Sequence, residues 1–230
     1  MNIPENFDIL FEDDQLVAID KPPGILVHPT RISEDTITIL PLLRDQIGRR
    51  VYPVHRLDRG TSGVLVFGKN REAAASLSAL FRSRQVKKRY QAVIRGYVEK
   101  EGHIHYPLAK AAGKEPQEAL TDYVRLSQTE MDFSVGKYPQ SRYSLVNIYP
   151  QTGKFHQIRR HFSHIRHPII GDKRHGDCKH NKYFRESLDI HRMLLHASEL
   201  SFIYPKHDAE LILKAPLDDV FQRAITFLQL

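Results

Sequence analysis

The chain alternates short apolar runs with turn-forming clusters, and this pattern sets the expected elements. Phe7 to Asp20 (FDILFEDDQLVAID) reads as two short strands around an acidic turn. Lys21-Pro22-Pro23-Gly24 follows as a rigid loop, because proline fixes φ and glycine relaxes it. Ile25-Leu26-Val27 is expected as a short buried strand. Thr36 to Ile47 carries apolar residues at mixed helical spacing, with Gly48 placed to stop a helix. Val64-Leu65-Val66-Phe67 is a continuous apolar run and reads as a buried strand. Asn70 is then a good helix N-cap, Glu72 falls in the first turn, and Leu77, Leu80 and Phe81 share one flank. Lys88 to Gly96 is the next strand.

Further along, Ala109 to Ala119 is polar, contains Gly and Pro, and is expected to be a surface loop. Ser141 to Tyr149 reads as a strand closed by Pro150. A helix is expected from about Lys154 to His164, with Phe155, Ile158, Phe162 and Ile165 forming one apolar stripe. Residues 193–204 give another apolar strand, and Asp218 to Leu230 an amphipathic helix. Several strands follow one another at short spacing. This predicts an α+β fold (mixed α/β), with a largely antiparallel mixed β-sheet and flanking helices rather than a doubly wound parallel sheet. A single domain over residues 1–230 is expected, built as one body or as two subdomains sharing one sheet.

Composition narrows the function class. The chain is 41% hydrophobic and 27% charged, as in ordinary globular proteins. Its formal net charge is +7, and the charge is unevenly spread. Lys137 to Arg185 holds eleven Lys/Arg against Asp172 and Asp177 alone, and Leu80 to Lys100 holds seven against one Glu. A basic face of this kind points to a polyanionic partner, with a solvated basic surface as the plain alternative. Cys178 is the one cysteine, so an intramolecular disulfide and a cysteine-rich zinc site are excluded. The N-terminal residues carry no basic, apolar signal pattern, and no apolar run is long enough to span a membrane. A cytoplasmic location is therefore expected. The six histidines from His156 to His180 raise a metal reading. Pro168 and the expected helix end near His164 scatter them, and no metal ligand set is assigned.

The densest chemistry is His55-Arg56-Leu57-Asp58-Arg59-Gly60-Thr61-Ser62-Gly63. One carboxylate stands between two arginines in a small-residue loop at the entrance to a buried strand, where a rigid sheet can fix it. An Asp that only serves local turn hydrogen bonds is the plain alternative.

This block resembles the signature of the RluA-type pseudouridine synthases. Other blocks follow in the same order: Lys21-Pro-x-Gly24 with Val27-His28-Pro29, then Lys88-x-Tyr90. Next come Thr152-Gly153-Lys154-x-His156-Gln157-Ile158-Arg159-x-His161, His167-Pro168-Ile169-Ile170-Gly171-Asp172 and Leu195-His196-Ala197. The resemblance spans roughly residues 7–228. It implies an isomerase that converts a chosen uridine in RNA to its C-glycoside isomer, without metal or organic cofactor, in a central cleft. It further implies that Asp58 is the catalytic group, with Arg159 as its salt-bridge partner. Tyr90 would lie against the uracil, and Arg56 would fill the gap left in the RNA. Lys21 and His28 would contact phosphate or brace the site. Many relatives carry an N-terminal S4-like domain; none is expected here, so the catalytic domain must engage RNA itself, as a monomer.

The segment Gly136 to Tyr143 and Gly171-Asp-x-x-His175-Gly-Asp177 resemble the bacterial branch acting on uridine 65 of transfer RNA. Ribosomal RNA as substrate, an RNA-binding protein without turnover, and a metal-dependent nuclease are the alternatives.

Overall fold

The computed structural model of the chain describes residues 4–28, 37–111 and 113–230. Pro29, Thr36 and Ala112, named above, lie outside the described residues. In chain order the elements are β1 (Asp8–Glu12), β2 (Leu16–Lys21), α1 (Ile39–Ile47), β3 (Tyr52–Pro53), β4 (Ser62–Gly68), α2 (Arg71–Arg82), β5 (Lys87–Arg95) and β6 (Glu101–His105). They continue as β7 (Leu108–Ala109), β8 (Pro116–Gln117), β9 (Leu120–Met131), β10 (Ser141–Pro150), α3 (Gln157–His164), α4 (Cys178–Leu188), β11 (Leu195–Tyr204), β12 (Ala209–Lys214) and α5 (Asp219–Leu228). Strand pairings are mostly antiparallel, and five helices occur among the described residues, so the fold is α+β. The chain divides into two compact units. One comprises Met1–Lys88 with Ala197–Pro216, the other Arg89–His196 with Leu217–Leu230.

In the first unit, β2 lies between β1 and β4; β4 has β11 as its other neighbour and also pairs with β3, while β12 pairs with β11. Every residue of β4 is buried, as its unbroken apolar run predicts. Val64 and Val66 pack with Leu77 of α2 and with Leu200, Phe202 and Leu213. Asn70 starts α2 as expected, its Oδ1 accepting from the Ala73 amide at 2.7 Å. Gly48 ends α1 in the left-handed conformation at φ 69°. Ile25-Leu26-Val27 departs from the expected strand. Its contact is a single bridge, Leu26 with Thr38, and the carbonyls of Leu26 and Val27 accept the amides of Ile39 and Leu40. Those carbonyls satisfy the opening amides of α1, which have no acceptor within the helix, so they are not available to a sheet ladder.

In the second unit the strand order is β5-β10-β9-β6, antiparallel throughout. One core gathers Ile94, Val146, Ile148, Ile158, Phe162 and Ile169; another gathers Tyr143, Phe184, Leu194, Phe221 and Leu228. The expected surface loop at 109–119 contains the short pair β7 and β8. Buried Leu108 anchors it, and Arg160 Nη1 donates to the Ala109 carbonyl at 2.9 Å. Helix α3 begins at Gln157, three residues later than expected, because His156 takes a left-handed conformation at φ 54° that no α-helix can continue. The apolar stripe is therefore Ile158, Phe162 and Ile165; Phe155 stands outside it, 46% exposed.

Candidate functional site

The predicted site residues are held by two different frameworks, one in each unit. Arg56 and Asp58 share a loop of the first unit, between β3 and β4. Tyr90 on β5 and Arg159 on α3 belong to the second unit.

The Asp58 loop is pinned at both ends. At its start, the Val66 amide donates to His55 Nε2 at 3.0 Å, and the His55 ring stacks on Phe81 with centroids 4.5 Å apart. Burial, helped by the positive charge of Lys88, pushes the His55 pKa down to about 3. The imidazole is thus neutral at physiological pH and available as an acceptor. At the other end the Thr61 amide closes a turn onto the Asp58 carbonyl at 3.0 Å. Lys21 then ties the turn down. It is fully buried, and its ammonium donates to the carbonyls of Pro22 (2.8 Å), Arg59 (3.2 Å) and Thr61 (2.8 Å).

Two further bonds join the turn to the Lys21-Pro22-Pro23-Gly24 loop, from the Gly24 amide to the Arg59 carbonyl and from Arg59 Nε to the Gly24 carbonyl. Of the two roles sequence left open for Lys21, bracing is the one these contacts serve. Gly63 completes the loop at φ 106°. A Cβ there would stand 2.2 Å from the Ala197 carbonyl oxygen, so no side chain fits. Asp58 itself is half-buried, and Arg56 is exposed. Burial lowers the His28 pKa, with the Arg56 charge adding to the effect.

In the second unit, Arg159 is gripped by Asp172. Its Nε and Nη2 donate to the two carboxylate oxygens at 2.7 and 2.8 Å, with the side chains 11% and 1% exposed. Burial pushes the Asp172 carboxyl up. The Arg159 hydrogen bond and charge, with the amides of His175 and Arg174, outweigh it and hold the carboxyl below its ordinary value. Asp172 was named only as part of a motif; its role in orienting Arg159 was missed. The available signal was its rarity. Between Lys137 and Arg185 the two acids each hold an arginine, Asp172 binding Arg159 and Asp177 binding Arg95. Asp172 also accepts the Arg174 and His175 amides of a turn, and Asp177 caps α4 through the Lys179 and His180 amides. Isolated acids in a basic segment are candidates for such anchoring.

Tyr90 pairs in register with Ile148 and packs half-buried against the core of the second unit. Gln157 locks the start of α3. It accepts from Thr152 Oγ1 and the Lys154 amide, and donates to the Leu120 carbonyl and Thr121 Oγ1.

The six histidines of 156–180 each have a local partner. His156 meets His175 at 2.9 Å, and His161 lies 3.0 Å from the Tyr106 carbonyl. His164 stacks on Tyr106, His167 bonds the Arg95 carbonyl, and His180 meets the Tyr143 hydroxyl at 2.9 Å.

The site geometry can be set beside known proteins. The family model described as RNA pseudouridylate synthase matches residues 15–164. A protein of Vibrio parahaemolyticus named tRNA pseudouridine synthase C is 45% identical over 234 residues, covering 97% of this chain and 95% of that protein. One of the same name from Vibrio vulnificus is 44% identical over 227 residues, covering 94% and 93%. Among solved structures, Human RNA Pseudouridylate Synthase Domain Containing 4 superposes with a TM-score of 0.76 at 24% identity. It covers 96% of this chain and 93% of that one, a likeness of fold.

Proposed function

The chain belongs to the RNA pseudouridylate synthase family, and from that premise we propose that it isomerises a uridine of transfer RNA, at position 65, to pseudouridine. The observation that carries this reading is near full-length identity of 45% to a relative named for that chemistry on tRNA, with Asp58 on a clamped loop. The reaction breaks an N-glycosidic bond, turns the uracil and rejoins it through carbon. Nothing is oxidised, so the protein's task is to expose the nucleotide, hold the detached ring and supply one reacting group.

Asp58 is that group, acting as a nucleophile at C1′ or at the base, or as a base on a ribose proton. Rigid placement by Lys21 and His55 lowers the cost of reaching the reacting geometry. Extruding the target costs a few kcal/mol. Tyr90 stacking on the base returns about 1–3 kcal/mol, and Arg56 occupies the space vacated in the RNA. Arg159 binds substrate, with its guanidinium plane set by Asp172. The protein works as a cytoplasmic monomer without a cofactor.

The test is Asp58→Asn. Pseudouridine formation in tRNA should fall by at least about a thousandfold, with tRNA affinity kept within about tenfold. Normal turnover would remove Asp58 from the chemistry. Binding of tRNA by the natural protein with no isomerisation would instead favour an RNA-binding protein on this fold. Mapping pseudouridine in tRNA from cells lacking the protein checks the position, where loss at a different uridine would correct it.

A further inference from the structure

We propose that an open cavity of about 780 Å³ in the second unit is a separate RNA-docking site that takes one nucleotide with its flanking phosphates. The inference rests on RNA being the substrate. None of Arg56, Asp58, Tyr90 or Arg159 lines this cavity. Its wall is the connection between β9 and β10 together with the start of α4, and its cations are Arg95, Lys137, Arg142 and Lys179. The size suits a nucleotide, since ligand cavities run from about 300 to 1,000 Å³.

Charge and shape point to a polyanion that carries bases. Arg95 is paired with Asp177 and Arg142 with Glu130, which fixes both guanidinium groups. Among the described residues, neither Lys137 nor Lys179 has a carboxylate partner. Four cations face two acids, and the surplus of two positive charges sits on those lysines. His180 adds no charge, because burial lowers its pKa and its ring is engaged by Tyr143.

Tyr138 lines the same wall, 62% exposed, with the Lys137 ammonium 4.9 Å from its ring centroid. The turn that carries it is ordered. Ser134 donates to the Tyr138 carbonyl at 2.8 Å, and Val135 bridges Tyr138. Gly136 takes φ 86°, and a Cβ there would lie 3.4 Å from Lys179 Cδ, so the turn and the lysine stem are neighbours. An exposed ring beside one ammonium group, with a second ammonium on the same wall, is the arrangement single-stranded RNA uses, with a base on the ring and phosphates on the cations. An acidic peptide would use the lysines but would leave the ring idle.

The experiment compares tRNA binding across salt concentration for the full chain and four variants. Lys137→Ala with Lys179→Ala should weaken binding about tenfold at about 0.15 M salt. It should flatten the salt slope by about 1–2 units, at about 0.7–0.9 per lost phosphate contact. KM should rise while kcat stays level. Lys137→Arg with Lys179→Arg should keep the natural slope, which a purely structural role for lysine would not predict. Tyr138→Ala should weaken binding about tenfold with the slope intact.

Two outcomes overturn the inference: an unchanged slope in the double alanine variant, or an equal flattening when exposed Lys100 and Lys114, which lie off the cavity, are both replaced by alanine. The binding data decide the cavity even if the natural protein shows no turnover, an outcome that would sink the isomerase reading instead. If the natural protein bound no tRNA, both would fall.

Discussion

The loop carrying Asp58 and the segment carrying Arg159 are immobilised by opposite means. Around Asp58 the fastening is to backbone. Lys21 binds three carbonyls, a neutral His55 takes an amide, and Gly24 and Arg59 exchange main-chain and side-chain bonds. These contacts hold the loop through its main chain and its flanking residues. Around Arg159 the fastening is to the functional charge itself, through a two-pronged bond to buried Asp172. The difference follows from what each group must do. A loop proposed to present a reacting group gains from being fastened through its main chain. A guanidinium has five N–H donors, so two can be committed to orientation while others serve binding.

This contrast sets the order of sensitivity. Asp172→Asn is expected to cost the most, about 3–5 kcal/mol in urea unfolding, because it removes a buried charge that binds a nearly buried guanidinium through two hydrogen bonds. The amide can still accept from the Arg174 and His175 backbone, so the substitution isolates the charge. A cost below about 1 kcal/mol would mean that the pair is not what holds Arg159.

Lys21→Met keeps the apolar stem and removes the ammonium from three carbonyls. About 3 kcal/mol of stability should be lost, and kcat should fall as the Asp58 loop loosens. Unchanged kcat would break the link between the clamp and the reacting group.

The smallest effect belongs to His55, and it depends on pH. Its folded pKa, about 3, lies below the ordinary 6.5, so the unfolded chain takes up the proton first. Stability from this group is complete above pH 6.5 and is lost as pH falls through the window down to about 3. Between pH 7 and pH 5 the loss should be about 2 kcal/mol. His55→Gln keeps an acceptor for Val66 and cannot titrate, so its stability should fall less over that interval. Equal falls would show that the imidazole does not matter to the loop.

Much of this was readable in the order of residues. The β4 run, the Asn70 cap, the Gly48 stop and the amphipathic α5 helix follow from local periodicity and capping chemistry. Each involves residues within a few positions of one another, where sequence spacing is spatial spacing. The family blocks with Asp58, Arg56, Tyr90 and Arg159 were legible for a similar reason, as fixed short patterns. Where local rules failed, a distant contact or a backbone twist intervened. Ile25-Leu26-Val27 spends its carbonyls on α1, and a left-handed His156 delays α3 and turns Phe155 outward.

The sequence by itself determined the class of fold and the family, because those are written in short-range patterns. Only the tertiary structure decided how these groups are secured: Lys21 on carbonyls 38 and 40 residues away, His55 on Val66, and Asp172 on Arg159. It also decided that Lys137, Tyr138 and Lys179 border one cavity. Periodicity records which face of an element is apolar. The partner a buried charge finds is set by where the chain returns, and no local pattern encodes that.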